Sequence, residues 1–308
     1  MIIRILKTSS SVALCLVGLF IAVGFYRFHV TIDAPYPELN IISNAELVSR
    51  GEYLVHGPAH CSNCHGDPTM RTQLLAGEMV PLTGGEHIQL PIASLYPPNL
   101  TPHGQTGIGR LSDGQLLRAM RNGINSAGHP MMPFMPFEEL ADNDLAAIVA
   151  YLRSAKPIDH KVPEPEFNFL GKLIRGYLIK PRGPSKTPSK SMSPTNSQEY
   201  GKYLAYKVAN CHGCHTNRSL FTGEFTGKHF GGGLELPAIG DPSRTVVSPD
   251  IRPGGVIAGW TLEKFIGRFR DLSNNVPGTH MPWGSFSRMT DSDLEAIYRF
   301  LMSLPAGP

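Results

Sequence analysis

Two five-residue runs, Cys-Ser-Asn-Cys-His at Cys61–His65 and Cys-His-Gly-Cys-His at Cys211–His215, constrain this 308-residue chain more than any other feature. Each sets two cysteines three positions apart and follows them at once with a histidine. Three positions is about one helical turn, so both sulfurs project from one side of the chain with the histidine beside them. The runs lie 150 positions apart and take up four of the five cysteines; the fifth, Cys15, lies in an apolar N-terminal stretch.

Several chemistries use Cys-x-x-Cys. A four-cysteine zinc site usually pairs its halves within about twenty residues, far closer than these two runs. A thioredoxin-like redox pair needs a strand–helix setting, which the pattern does not provide. A disulfide scaffold needs more cysteines in a shorter chain. A haem presents two vinyl groups on one edge and takes an axial ligand on its face. Two sulfurs a turn apart with an adjoining histidine meet that demand, and Cys-x-x-Cys-His reads as c-type haem attachment. The expectation is two covalently bound c-type haems (iron), one on Cys61 and Cys64, the other on Cys211 and Cys214, with His65 and His215 as axial ligands.

The runs sit inside an internal repeat. Gly51, Tyr53 and Leu54 precede the first at the offsets at which Gly201, Tyr203 and Leu204 precede the second. Downstream, Met132-Pro133-Phe134 matches Met281-Pro282-Trp283, Phe137 matches Phe286, and Asp144-Leu145 matches Asp293-Leu294. LAAIVAYLRS and LEAIYRFLMS then align. So many shared offsets mark two copies of one folding unit. Each copy reads as mostly helical, with helices starting at Ser112 or Thr261 and near Asp142 or Thr290. Ser112 with Gln115, and Thr290 with Asp293, have the spacing of N-terminal caps. No strong alternation of apolar and polar residues appears, so β-sheet is not the organising element.

A second axial ligand has to come from elsewhere in each copy, and methionine is the common partner of histidine in cytochromes c. The repeat nominates Met132 and Met281, each in a Pro-flanked loop. Met131 and Met135 compete in the first copy, but Met132 alone reproduces the distances from Met281 to Phe286 and Asp293. His129 and His280 lie close to these loops, though not at equivalent offsets. The remaining histidines, among them His56, His60, His87, His103 and His212, read as surface or loop residues.

Residues 8–26 carry no charge, with Arg4 and Lys7 before them and Arg27 after. Nineteen helical residues rise about 28 Å, close to the hydrocarbon thickness of a bilayer. A cleaved signal peptide and a retained anchor both fit that length. Phe25, Tyr26 and Phe28 suit an interfacial belt and favour the anchor. Leu14 before Cys15 argues against a lipoprotein site. Either way the positive residues stay inside and the bulk of the chain crosses, giving a bacterial inner-membrane protein whose globular part lies in the periplasm.

The divisions are then an anchor or signal at 1–30, a first domain at 45–156, a linker at 157–198 and a second domain at 199–305. The linker is rich in Pro, Ser and Lys and reads as an exposed connector. FLGKLIRGYLI, from Phe169 to Ile179, has the pattern of a short amphipathic helix within it. Lys156 to Lys190 holds eight Lys or Arg against three Asp or Glu, either a solvated basic strip or one that rests on anionic lipid or an acidic partner. A net charge of +3 is too small to argue for a nucleic-acid partner.

Residues from about 45 to 305 resemble the membrane-anchored cytochrome c subunits of periplasmic alcohol and gluconate dehydrogenases. The resemblance is carried by RGEYLVHGPAHCSNCH, NLTPHGQTGIGRLS, MPFMPFEELADNDLAAIVAYLRS, YGKYLAYKVANCHGCHTNR, SPDIRPGGVIAGW and GTHMPWGSFSRMTDSDLEAIYRFLMSLP. It implies a mainly α chain with two tandem class I cytochrome c domains, histidine and methionine loops lying on opposite faces of each haem. The three-haem dehydrogenase subunits have a third haem module, whereas this sequence shows two attachment runs. An electron carrier of a periplasmic respiratory chain is expected, with a dehydrogenase, an oxidase, a soluble electron carrier or quinone as partners. The competing class is a dihaem redox enzyme of peroxidase or thiosulfate dehydrogenase type, which needs a labile ligand at one haem. A methionine candidate in both copies favours the relay.

Overall fold

The apolar N-terminal stretch folds as one continuous helix, α1 (Ile2–His29), in a computed structural model that describes residues 2–219, 223–273 and 275–307. Its segment Ser11–His29 has a mean hydropathy of 2.0 and, among the described residues, is the one helix long and apolar enough to cross a membrane. Val12, Leu14, Leu16 and Leu19 are turned outward, the surface expected of a helix that meets lipid.

An extended segment leads to the first repeat. There α2 (Ala45–His56) is capped by Asn44, whose side chain accepts from the Leu47 amide at 2.8 Å. Then come α3 (Ser62–His65), α4 (Arg71–Leu75), the strands β1 (Ile88–Leu90) and β2 (Ala93–Leu95), α5 (Asp113–Asn122) and α6 (Asp142–Ser154). Ser112 and Gln115 form the reciprocal cap their spacing predicts, and Gly123 ends α5 in the left-handed region at φ 63°. α6 begins where expected but has no side-chain cap of its own. Its Ala141 amide donates to the Tyr203 hydroxyl, from the second repeat, at 3.1 Å.

The connector is more ordered than its composition suggests. β3 (Glu166–Phe167) pairs antiparallel with β2 and completes a three-stranded sheet. The amphipathic segment forms α7 (Phe169–Tyr177), capped by Asn168. Beyond it the chain is exposed yet strapped to the first repeat: the Asp142 and Asn143 amides donate to the Ser189 and Lys190 carbonyls, and Arg182 pairs with Glu138 at 2.7 Å.

The second repeat opens with α8 (Gln198–Tyr203), which continues through a π-helical turn, Leu204–Val208. It goes on through α9 (Cys211–Cys214), an antiparallel ribbon of β4 (Glu235–Ala238) and β5 (Asp241–Val247), α10 (Leu262–Arg270), α11 (Trp283–Phe286) and α12 (Asp291–Met302). Thr261 and Thr290 cap α10 and α12 through their hydroxyls.

In each repeat the leading helix crosses the closing helix at a glycine, α2 on α6 and α8 on α12. A Cβ on Gly51 would lie 1.9 Å from the Ala147 carbonyl oxygen, and one on Gly201 would lie 1.8 Å from that of Ala296. Both glycines were visible in the repeat; close backbone approach is the reason for them. Around these crossings Leu54, Leu145, Leu204 and Leu294 are fully buried, and the buried apolar residues of both repeats form one continuous cluster.

Candidate metal centres

Each Cys-x-x-Cys-His run folds as a single helical turn closed by the same hydrogen bond. The His65 amide donates to the Cys61 carbonyl at 2.8 Å, and the His215 amide to the Cys211 carbonyl at 2.8 Å. The preceding residues, His60 and Asn210, sit at equivalent positions and both take the left-handed conformation, at φ 41° and 51°. That kink turns the chain sharply out of the leading helix into the attachment turn. None of the five cysteines is joined to another by a disulfide. Burial, with the neighbouring thiol adding to it, pushes Cys61 and Cys211 each up to about 12, so both are neutral at physiological pH.

The two histidines of the runs are held alike. His65 Nδ1 lies 2.9 Å from the Pro98 carbonyl oxygen, and His215 Nδ1 lies 2.9 Å from that of Pro249. A carbonyl can only accept, so the ring proton sits on Nδ1 and the Nε2 lone pair is left for a metal. Burial pushes both imidazoles below their ordinary pKa, against the opposing pull of the carbonyls, so they stay neutral. Each His carbonyl also accepts from a glycine amide at 2.8 Å, Gly84 in the first repeat and Gly232 in the second, and both glycines have positive φ.

Among the described residues no group of three or more His, Cys, Asp or Glu side chains gathers where it could hold a metal ion. A bare zinc or iron ion would find too few donors. A metal that arrives with four ring nitrogens needs only axial ligands, and a covalent tether from two sulfurs on the same turn suits it. The residues present therefore fit a haem at each run.

The methionine loops share a backbone turn. The Phe134 amide donates to the Met132 carbonyl at 2.8 Å, and the Trp283 amide to the Met281 carbonyl at 2.9 Å. Met132 and Met281 are both half-buried. Met281 packs against the core, and so does Met135, the nearest competitor in the first repeat. Each loop is braced by an arginine, buried Arg121 in the first repeat and exposed Arg270 in the second. Arg121 donates to the Glu138 and Leu140 carbonyls at 2.7 Å each and pairs with Asp142. Arg270 donates to the Ser287 and Met289 carbonyls at 2.8 and 2.7 Å and pairs with Asp291. Both arginines stand eleven positions before their methionine, an offset legible in the sequence.

Two histidines differ from expectation. His56 is buried, with Ser62 Oγ on one ring nitrogen and the Tyr151 hydroxyl on the other. His212 is buried too, its Nε2 2.5 Å from His229 Nδ1 among Tyr206, Phe225 and Phe230. Their polar partners come from chain-distant or aromatic-flanked positions that carry no local signal. His129 and His280 both lie against backbone carbonyls, of Val30 and Pro237.

The stretch after Met281 meets the first run. Ser285 Oγ in α11, four residues after Met281, donates to Asn63 Oδ1 inside the first attachment run at 2.7 Å. The His60 ring meets Phe286 edge-on with centroids 5.4 Å apart.

Residues 46–152 match the family model described as cytochrome C oxidase, cbb3-type, subunit III. The chain is 28% identical to the alcohol dehydrogenase (quinone) cytochrome c subunit of Gluconobacter oxydans, over 85% of this chain and 55% of that one. It is 28% identical to the gluconate 2-dehydrogenase cytochrome c subunit of Pantoea cypripedii, over 86% and 61%. A diheme cytochrome c-type protein of Cereibacter sphaeroides is 26% identical over 84% of this chain and 86% of its own length. The chain thus spans about half the length of the dehydrogenase subunits it matches. Its first repeat is a cytochrome c domain, which implies covalently bound haem, and the resemblance to cytochrome c subunits of dehydrogenases extends over most of the chain.

Proposed function

We propose that this chain is a dihaem c-type cytochrome that relays electrons in a periplasmic respiratory chain, from a dehydrogenase towards quinone or a terminal oxidase. In this reading two tandem cytochrome c domains, 45–156 and 199–305, are joined by the 157–198 connector. The observation that carries it is the duplicated centre: the same Cys-x-x-Cys-His turn, with its histidine aimed by a proline carbonyl, occurs in both repeats. A bound haem supplies a one-electron iron couple. The chain's residues do the rest. Cys61, Cys64, Cys211 and Cys214 tether the two groups. His65 and His215 would offer Nε2 to the iron and Met132 and Met281 their sulfurs, with Arg121 and Arg270 fixing the loops that carry the methionines. The Ser285–Asn63 contact joins the stretch after Met281 to the first attachment run, which supports passage of electrons between the repeats.

The dehydrogenase partner is supported by the relatives, which are named as subunits of such enzymes. Retention of α1 as the anchor is supported by its packing. A Cβ on Gly24 would lie 2.6 Å from Leu173, and one on Gly176 would lie 2.4 Å from the Gly24 carbonyl oxygen, so α7 and α1 cross at a glycine pair. The Phe20 and Tyr177 rings stack with centroids 4.5 Å apart. Cleavage would strip α7 of this face.

Optical and EPR spectra of the haem-loaded protein, with and without carbon monoxide and peroxide, test the relay. Two low-spin haems that ignore both additions, with the charge-transfer band of a methionine–iron bond, are expected. One high-spin haem, or ready carbon monoxide binding, would replace the relay by a redox enzyme. Met132→Leu should remove one haem's share of the band and Met281→Leu the other's. Loss on Met135→Leu instead would move the first ligand to Met135.

A further inference from the structure

Between α1, α7 and the methionine loop of the first repeat lies a cleft of about 120 Å³. Arg27, Arg175 and Lys180 line it, together with Phe28, Ile179 and Pro130. No carboxylate lines it, and among the described residues none of the three cations enters an ion pair. The Arg175 guanidinium stands 4.6 Å from the Phe28 ring and 5.2 Å from the Phe167 ring, which leaves its in-plane N–H donors free for an anion. Three unpaired cations around one small space are mutually repulsive unless an anion joins them.

The surroundings say what kind of anion. Arg27 closes the apolar span of α1, where a phospholipid headgroup would lie. Beside the cleft, Phe169, Leu170 and Leu178 of the α7 segment stand more than half exposed, continuous with the outward apolar belt of α1. Lys172 lies over the Phe25 ring at 5.9 Å, its charge beside the same boundary. An apolar strip for acyl chains next to a basic pocket for a headgroup is the pattern of an interfacial helix that meets anionic lipid.

We propose that this cleft binds the headgroup phosphate of an anionic phospholipid, with α7 lying in the outer-leaflet interface. The proposal rests on α1 being the retained anchor. Ile32 and His129 contacts tie the segment after α1 to the Met132 loop: the Ile32 amide donates to the Gly128 carbonyl at 2.8 Å, and His129 Nδ1 lies 3.3 Å from the Val30 carbonyl oxygen. The bound lipid would therefore hold the first repeat with its methionine loop towards the membrane and fix the height at which partners meet it.

The test uses the full-length, haem-loaded protein in nanodiscs of equal phosphatidylglycerol and phosphatidylcholine, released and weighed intact by native mass spectrometry. One phosphatidylglycerol should be retained in about tenfold preference, in line with the attraction of several cations near a surface. In Arg175→Gln/Lys180→Gln the preference should fall to about one, while Lys186→Gln/Lys190→Gln, which removes the same charge elsewhere in the connector, should keep it. Retention without regard to headgroup charge, an unchanged preference in the cleft variant, or an equal loss in the control would each overturn the site. The same spectra give the chain mass, so a mature chain beginning beyond Gly24 would overturn the anchor itself, by a reading independent of lipid.

Discussion

The Tyr203 hydroxyl donates to Asp144 Oδ2 at 2.7 Å, joining the leading helix of the second repeat to the closing helix of the first. The reciprocal pair is present: Tyr53 donates to Asp293 Oδ2 at 2.7 Å. Each tyrosine oxygen also accepts the backbone amide at the start of the partner helix, from Ala141 and from Thr290, both at 3.1 Å. The two repeats thus exchange caps about an approximate two-fold axis, and neither closing helix is fully capped without the other repeat.

The exchange is unequal in charge, which gives a first prediction. Asp144 also takes a two-pronged contact from Arg50 at 2.9 and 3.1 Å. At the equivalent place the second repeat has Tyr200, which itself accepts from Arg50 at 3.0 Å. Asp144→Asn should cost about 3 kcal/mol because it strands a largely covered guanidinium. Asp293→Asn should cost under about 1 kcal/mol at pH 7, since Tyr53 can still donate to the amide oxygen. Burial raises the Asp293 pKa, against its hydrogen bond from Tyr53. Its contribution is therefore present below the ordinary carboxylate pKa and lost as pH rises through the folded value, so the asparagine variant should gain on the parent over that rise. Denaturant unfolding at pH 4 and 7 decides; equal costs for the two variants would sink the asymmetry.

The helix crossings give a second. Gly51→Ala and Gly201→Ala each drive a methyl into a carbonyl oxygen that cannot withdraw without moving a helix. Each should cost about 3 kcal/mol or more, at the upper end of overpacking effects. Alanine at Gly240, where a Cβ meets nothing within 4 Å but φ is +80°, should cost about 1 kcal/mol, the strain of the left-handed region alone. Thermal melts of the three proteins should separate in that order, and a crossing variant that melts with the parent would contradict the close approach.

Acid should weaken the first repeat through His56. Burial, with Arg288 adding to it, pushes this imidazole down to about 4. A depressed histidine contributes stability that is whole above its ordinary value of about 6.5 and is lost as pH falls towards the folded value, up to about 3 kcal/mol in all. His56→Gln should flatten the fall between pH 7 and pH 4. A profile just as steep in the variant would assign the acid sensitivity to other groups, with His212, also pushed down to about 4 by burial, next to test.

The arginine braces make a spectroscopic prediction. Arg121→Met frees two carbonyls in the stretch after Met132, and Arg270→Met does the same after Met281. Each should loosen its methionine loop, weakening the methionine–iron band and raising carbon monoxide binding at one haem. The effect should be larger at Arg121, whose side chain is 6% exposed against 37% for Arg270, since the buried carbonyls it leaves have no water to turn to. Unchanged spectra in both would mean that the loops hold their shape without the braces.

The Cys-x-x-Cys-His turns, the repeat and the long apolar helix were legible in the chain because each is local or periodic. Cys-x-x-Cys-His is its own geometry within one helical turn. Ser112 and Thr290 cap helices three residues away, and the glycines of the crossings stood at matching offsets. In the connector the amphipathic segment was legible and α7 forms there. β3 was not, because it forms only on the edge that β2 offers, more than seventy positions away.

The sequence by itself therefore determined where haem is expected to attach and that one pattern of residues occurs twice, since both rest on residue type and spacing. Tertiary structure alone decided that Pro98 and Pro249 aim the histidines, that Tyr53 and Tyr203 cap the opposite repeat, that His56 and His212 lie buried, and that Arg27, Arg175 and Lys180 converge. Each of those arrangements joins groups whose separation along the chain carries no period. Which of them meet is set by how the helices pack, and no local pattern records it.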